Sequence, residues 1–436
     1  MLSPLRNRVY RHLLAAQVIA LVGTGLATVA LALLAHDLAG NEAGAVLGTA
    51  LAIKMAAYVC FAPLAGALAD RVPRRALLVG ADLLRGGVAL ALPFVTHIWQ
   101  IYVLILLLQA ASAVFTPTFQ AVLPDVLPDE RDYTVALSLS RIAYDLESLF
   151  SPALAAALLT VISYNRLFTG TTLGFLASAA LVVSVALPRA AAVGPARTRG
   201  GFRARVVLGT RLLLTTDRLR ALPALNLAIA ASGAMVFVNT VVIVRDHYDR
   251  PETAVSLALG AYGAGSLLTA ALVPRLLRAR GDRAVMLPAA LGLPPLATAV
   301  AVLTAVSPRG WTWWGLLLVW AATGAACCAV LTPVGRLIRG SVPGEHLPAV
   351  FAAQFSLSHA CWLLTYPLAG WLAVLVGLPL TAVVLAVSAL AAALTAVALW
   401  PCGDTGAGRV GFVAARAAEP GRETRSSGAG SVQESL

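Results

Sequence analysis

Apolar runs long enough to cross a lipid bilayer recur along this chain with only short polar gaps between them. An α-helix rises about 1.5 Å per residue, so about 20 apolar residues cross a hydrocarbon core about 30 Å thick. Such runs occur at 13–35, 44–69, 76–96, 99–122, 134–162 and 167–188, and again at 221–244, 254–274, 284–306, 311–335, 348–376 and 378–400. In lipid every backbone amide must find its partner within the segment, so each run predicts a helix. Eight arginines with Gly, Pro and Thr interrupt the series between Arg189 and Arg220. The chain is therefore predicted to be an all-α membrane protein of twelve transmembrane helices in two pseudo-symmetric halves, 1–188 and 221–400, joined by a linker at 189–220. Residues 401–436, rich in Gly, Ala, Ser, Arg and Glu, predict a disordered tail.

Composition removes the main alternative, because 59% hydrophobic and 12% charged residues over 436 positions do not describe a soluble protein. A net charge of +12 would suggest nucleic acid for a soluble chain, but here the basic residues sit in the gaps between apolar runs. Twenty-five of them fall on one side of the predicted membrane, and only Arg166, Arg245, Arg250 and Arg309 fall on the other. The positive-inside rule then places both termini in the cytoplasm, as expected for a multi-pass protein of a bacterial inner membrane. The first run follows Arg6, Arg8 and Arg11 and is too long for a signal-peptide core, so it is read as a retained span. Five cysteines, most of them inside apolar runs, form no disulfide framework.

The two halves also share sequence. Thr116-Pro117, Pro128-Asp129-Glu130-Arg131 and Ser138-Leu139-Ser140-Arg141 recur in order as Thr332-Pro333, Pro343-Gly344-Glu345-His346 and Ser356-Leu357-Ser358-His359, at offsets of 216, 215 and 218 residues. Three matches in one order at nearly one offset point to duplication of a six-helix unit.

The gap between the second and third runs reads Gly66-Ala67-Leu68-Ala69-Asp70-Arg71-Val72-Pro73-Arg74-Arg75. A glycine near a helix end admits a close neighbour, and a carboxylate among arginines can exchange ion-pair partners as helices rock. The segment resembles the loop between helices 2 and 3 of the major facilitator superfamily, with Pro73 where a second glycine is usual. The resemblance implies a midplane site opened to each side in turn by rocking of one half on the other. It also implies a conformational latch made of Gly66, Asp70, Arg71, Arg74 and Arg75, with Asp82 and Arg85 completing its charge network.

Charge inside a span costs a few kcal/mol or more unless it is paired or faces a cavity. The fifth run carries Arg141, Asp145 and Glu147, and the second carries Lys54. Arg141 and Asp145, four residues apart, share a helix face. A carboxylate in apolar surroundings is suited to binding and releasing a proton, which makes Asp145 and Glu147 proton-coupling candidates. Lys54 either pairs with an acid or meets an anionic group of the cargo. Ser151-Pro152-Ala153-Leu154-Ala155-Ala156, following Glu147, resembles a weakened form of the fifth-helix pattern of facilitator antiporters. Gln17, Thr24, Gln109, Ser112, Thr116, Asn239 and Thr323 are cavity candidates if the family geometry holds, and Lys54, Arg141 and His359 are candidates for the same cavity.

The chain as a whole is similar to the efflux branch of the superfamily that contains siderophore, macrolide and nickel-resistance exporters. This implies a proton-coupled exporter of a small molecule. A nickel or cobalt carrier is the alternative, with a membrane receptor or scaffold as the non-transport reading. Cys327, Cys328, His359 and Cys361 offer soft donors without metal-site spacing, so a metal is weighed as cargo rather than as a resident ion. There is no Walker loop, nucleophile elbow or H-E-x-x-H site in the sequence, so no ATP, no cofactor and no enzymatic chemistry are expected.

Overall fold

Each apolar run folds as a helix. The computed structural model describes residues 3–39, 43–68, 72–159, 161–187 and 202–400. The first half comprises α1 (Arg8–Ala39), α2 (Ala43–Leu68), α3 (Arg74–Ala91), α4 (Ile98–Val126), α5 (Glu130–Leu159) and α6 (Tyr164–Val183). After α7 (Phe202–Thr215) come α8 (Leu222–Val242), α9 (Glu252–Ala305), α10 (Gly310–Leu331), the short α11 (Val334–Arg339), α12 (Leu347–Val376) and α13 (Leu378–Leu399). No strand occurs among the described residues. With the two arms of α9 counted separately and α7 and α11 set aside, the long helices among the described residues number twelve. Nine segments among the described residues are long and apolar enough to cross a membrane, one of them containing both arms of α9.

Three boundaries differ from the sequence expectation. The polar gap at 275–283 is helical apart from Gly281, whose φ of 76° and ψ of 173° redirect the chain within one residue. A positive φ of this size suits glycine, which has no Cβ to clash. The linker at 189–220 contains a helix, α7. The tenth run stops at Leu331, since Pro333 has no N–H to continue the ladder and Thr332-Pro333 forms a turn before α11.

Helices that are apolar all round cannot be oriented by a polar stripe, and here side-chain size sorts the faces. On α13 the large Leu380, Val383, Val387, Leu390 and Leu394 are exposed, at the spacing of one helix face. The opposite face buries Ala382, Ala386, Ala389, Ala393 and Ala396 against the bundle. Without a hydrophobic drive between helices in lipid, small residues permit the close van der Waals packing that associates them. Polar contacts fix the ends: Arg220 Nε donates to the Leu399 carbonyl at 2.9 Å, placing a cation at the C-terminus of α13 where the helix dipole favours it.

Candidate functional site

Packing of the two halves leaves a cavity of about 500 Å³ between them. Its walls come from α1, α2, α4 and α5 on one side and from α8 to α12 on the other, and the two walls differ in chemistry. Lys54, Arg141 and Glu147 all belong to first-half helices. Arg141, Tyr144 and Glu147 follow at helical spacing along α5 and all face the cavity. Glu147 stands within electrostatic range of Lys54. Among the described residues, however, no carboxylate lies within 4.0 Å of the Lys54 ammonium, which lies over the Tyr58 ring at 5.8 Å from its centroid. Arg141 reaches across the halves, with Nε 3.4 Å from Ser266 Oγ on α9.

The second-half wall is largely aromatic. Phe355, His359, Trp362 and Tyr366 line the cavity from α12 at spacings of four, three and four residues, which is one helix face. Tyr58 of α2 meets this row, its ring 4.7 Å from His359 edge-on and 5.1 Å from Phe355. His359 Nδ1 lies 2.7 Å from the Phe355 carbonyl, and a carbonyl only accepts. The proton on Nδ1 therefore points to that carbonyl.

Of the residues singled out from sequence, Gln17, Thr24, Lys54, Thr116, Arg141, Glu147 and His359 line this cavity. Gln17 Oε1 accepts from Ser140 Oγ at 3.0 Å. Arg141 and His359, 218 residues apart in the repeat, occupy opposite walls. Four expected cavity residues do not line it. Gln109 lies one layer behind, accepting from Tyr58 Oη at 3.0 Å. Ser112 and Thr323 turn back on their own helices, donating to the Leu108 and Val319 carbonyls at 3.0 and 2.7 Å. Asn239 donates to the Ala369 carbonyl at 3.2 Å, tying α8 to α12. In each case a backbone or neighbouring partner within reach satisfies a group that would otherwise be stranded in an apolar bundle. The aromatic residues Tyr58, Tyr144, Phe237, Tyr262, Trp362 and Tyr366 also line the cavity and went unnoticed in the sequence, although the 355–359–362–366 spacing was there to read.

The soft donors are scattered. Cys327 and Cys328 are fully buried in α10, and Cys361 Sγ lies 4.0 Å from the Pro223 carbonyl. Among the described residues no three His, Cys, Asp or Glu side chains gather as a metal site would need.

The face that carries the arginine-rich connections holds the other charged constellation. Asp70 and Arg71 lie outside the described residues, as do the side chain of Asp145 and residues 401–436; Gly66 falls in the last turn of α2. Arg74, at the start of α3, pairs with Asp125 and donates to the Ala121 carbonyl at 3.2 Å. Arg75 donates to the Val183 carbonyl at the end of α6. Asp82 and Arg85 have partners of their own deeper in the bundle: they pair with each other, Ser178 Oγ donates to Asp82 at 2.7 Å, and the guanidinium lies over the Phe115 and Phe175 rings at 4.3 and 4.6 Å. The second half repeats the Arg74–Asp125 brace with charges exchanged, as Asp282 at the start of the second arm of α9 meets Arg336 Nε at 3.2 Å. Arg336 Nε also lies 3.0 Å from Glu130 of the first half. Arg339 donates to the Leu127 and Pro128 carbonyls at 3.2 and 2.6 Å and lies over the Tyr133 ring at 4.8 Å. Two arginines of α11 thus clasp the α4–α5 turn.

Residues 13–293 match the family model described as Major Facilitator Superfamily. Among curated proteins, an uncharacterised MFS-type transporter of Bacillus subtilis, YfiS, is 26% identical over 223 residues, 50% of this chain and 52% of the relative. Macrolide efflux protein A of Streptococcus pyogenes is 28% identical over 153 residues, 33% of this chain and 38% of the relative. The chain thus spans about half the length, or less, of these curated relatives. The crystal structure of the human organic anion transporter MFSD10 (TETRAN) superposes with a TM-score of 0.74 at 14% identity, covering 89% of this chain and 99% of that one, which supports the same fold.

Proposed function

Because this chain belongs to the major facilitator superfamily, we propose that it is a secondary transporter that exports a small amphipathic molecule from the bacterial cytoplasm in exchange for protons, by alternating access. The observation that carries the reading is the cavity between the halves, which Lys54 and Glu147 both line within electrostatic range of each other. Charges in an apolar bundle are costly, and are retained where they are paired or where a cavity and a ligand use them. The similarity to macrolide efflux protein A supports the direction of transport.

In this reading Glu147 carries the proton. Ionised, it is held by Lys54; protonated, it leaves Lys54 uncompensated, and the charge arrangement that receives the cargo changes. Coupling requires that cargo and proton alter each other's affinity, and groups sharing one cavity do so through electrostatics. Asp145, on the same helix, is the second carrier candidate. The arginine-rich face is the cytoplasmic one, and the clasp of Arg336 and Arg339 on the α4–α5 turn closes it in one phase of the cycle. An ion gradient, rather than ATP, supplies the energy.

Inverted membrane vesicles loaded with a pH-sensitive dye test the proposal. Addition of an exported compound should release protons across the membrane. Glu147→Gln should abolish this flux and pH-driven accumulation while leaving exchange of labelled for unlabelled cargo intact. Normal flux in both Glu147→Gln and Asp145→Asn would exclude both carboxylates.

A further inference from the structure

Trp362 occupies an unusual seat. A Cβ placed on Gly233 of α8 would lie 2.5 Å from Cη2 of the indole, closer than real contacts allow, and 3.1 Å from Cζ3. The benzo edge of Trp362 is therefore keyed into the notch that a missing side chain leaves on α8. Anchored to α12 at Cβ and set against α8 at its far edge, the indole spans two helices that wall the cavity it lines. Its neighbours hold it upright: Phe237 meets it at 5.9 Å and 67°, and Tyr366 at 5.0 Å and 48°. Phe237 in turn meets Tyr262 at 5.2 Å and 71°. All four rings face the cavity, and Phe237 is 46% exposed.

Rings fixed at their edges are poor fillers and good platforms. The notch at Gly233 fixes where the far edge of the indole sits. Preorganised aromatic faces favour offset stacking on another flat π-system over contact with a globular apolar body, because only a flat ring brings every atom to contact distance at once. The formal charges Lys54, Arg141 and Glu147 line the same cavity from first-half helices.

We propose that Trp362, keyed into Gly233 and flanked by Phe237 and Tyr366, selects cargo by flatness, and that the transported class is a planar aromatic or heteroaromatic amphiphile. This deepens the transport reading and rests on it for the word cargo. The selectivity itself is a binding property that needs no transport to be measured.

Two monovalent organic cations that share charge and aromatic character but differ in shape make the test: ethidium, a fused planar ring system, and tetraphenylphosphonium, whose four rings are splayed. Equilibrium binding of each radiolabelled compound to the purified full-length protein in nanodiscs should favour ethidium. Trp362→Ala should weaken ethidium by about tenfold and tetraphenylphosphonium by less than about twofold. Gly233→Ala, which keeps every ring but displaces the indole, should reproduce the ethidium loss. On the Trp362→Ala background the same methyl should add less than about twofold, since nothing remains for it to push. Should Gly233→Ala fail to assemble, Trp362→Phe, too short to reach the notch, gives the second reading and should weaken ethidium selectively. Equal losses for the two compounds, no preference in the unmodified protein, or a full Gly233→Ala effect without Trp362 would each overturn the proposal. Selective binding in a protein that moves no protons would instead leave this inference standing and remove the antiport.

Discussion

Removing Arg339 should open the arginine-rich face far more than removing the negative charge of Glu130, although both residues link the two halves there. Arg339 donates two charge-assisted hydrogen bonds to the last carbonyls of the α4 end, at 3.2 and 2.6 Å, and stacks over Tyr133 at 4.8 Å. Such bonds contribute about 1.5–3 kcal/mol each when shielded, and a cation over a ring adds about 0.5–1 kcal/mol at an exposed site. Discounted for the solvent at this edge, the loss in Arg339→Ala is about 2 kcal/mol, which corresponds to about a thirtyfold shift in the balance between closed and open forms. Glu130 is 66% exposed, and an ion pair of that kind is worth at most about 1 kcal/mol, or about fivefold. The assay is the rate at which a membrane-impermeant maleimide, added from that face, labels a cysteine at Leu137, which lines the cavity. The five native cysteines are first replaced. Labelling should rise about thirtyfold in Arg339→Ala and no more than about fivefold in Glu130→Gln. An unchanged rate in Arg339→Ala, or the reverse ranking, would refute the reasoning.

Asp82 is fully buried, and Asp82→Asn strands the Arg85 guanidinium, so thermal unfolding in detergent should show a loss of about 3–5 kcal/mol. A melt indistinguishable from the parent would mean the pair does not hold α3 in place. Arg74→Asp sets two carboxylates together at the end of α4 and should slow transport, whereas Arg74→Asp combined with Asp125→Arg restores the brace and should recover it. Asp70→Asn keeps the size and removes the charge of the expected latch; slower transport at equal expression is predicted, and unaltered transport would count against the latch.

Helix positions were legible because length and hydropathy suffice to mark a segment that must satisfy its own backbone in lipid. The join at Gly281 was not, since four arginines read as a loop whether or not the helix continues through them. Nor was the order in α7, where the linker's arginines, Gly and Thr mask a helical stretch. Within the site, intramembrane charge found Lys54, Arg141 and Glu147, because cost identifies such groups without any knowledge of direction. Residue type alone misplaced Gln109, Ser112, Asn239 and Thr323, whose polarity is consumed by partners that only three-dimensional packing supplies. The aromatic row of α12 was the recoverable omission. Its spacing is helical, but in a chain this apolar a ring attracts no notice as core or as wall.

The uneven chemistry of the two cavity walls has an evolutionary consequence. If duplication made the halves from one ancestral unit, the copies have since parted ways, one keeping the ionisable side chains and the other accumulating rings. Under the proposed mechanism, mutations confined to α8, α9 and α12 would then reshape the aromatic wall while leaving Glu147, the proposed proton carrier, in place. A lineage under pressure from a new toxic compound would need to search only half of its sequence, and a chimera given the second half of another family member would inherit that donor's substrate range while keeping its own energy source.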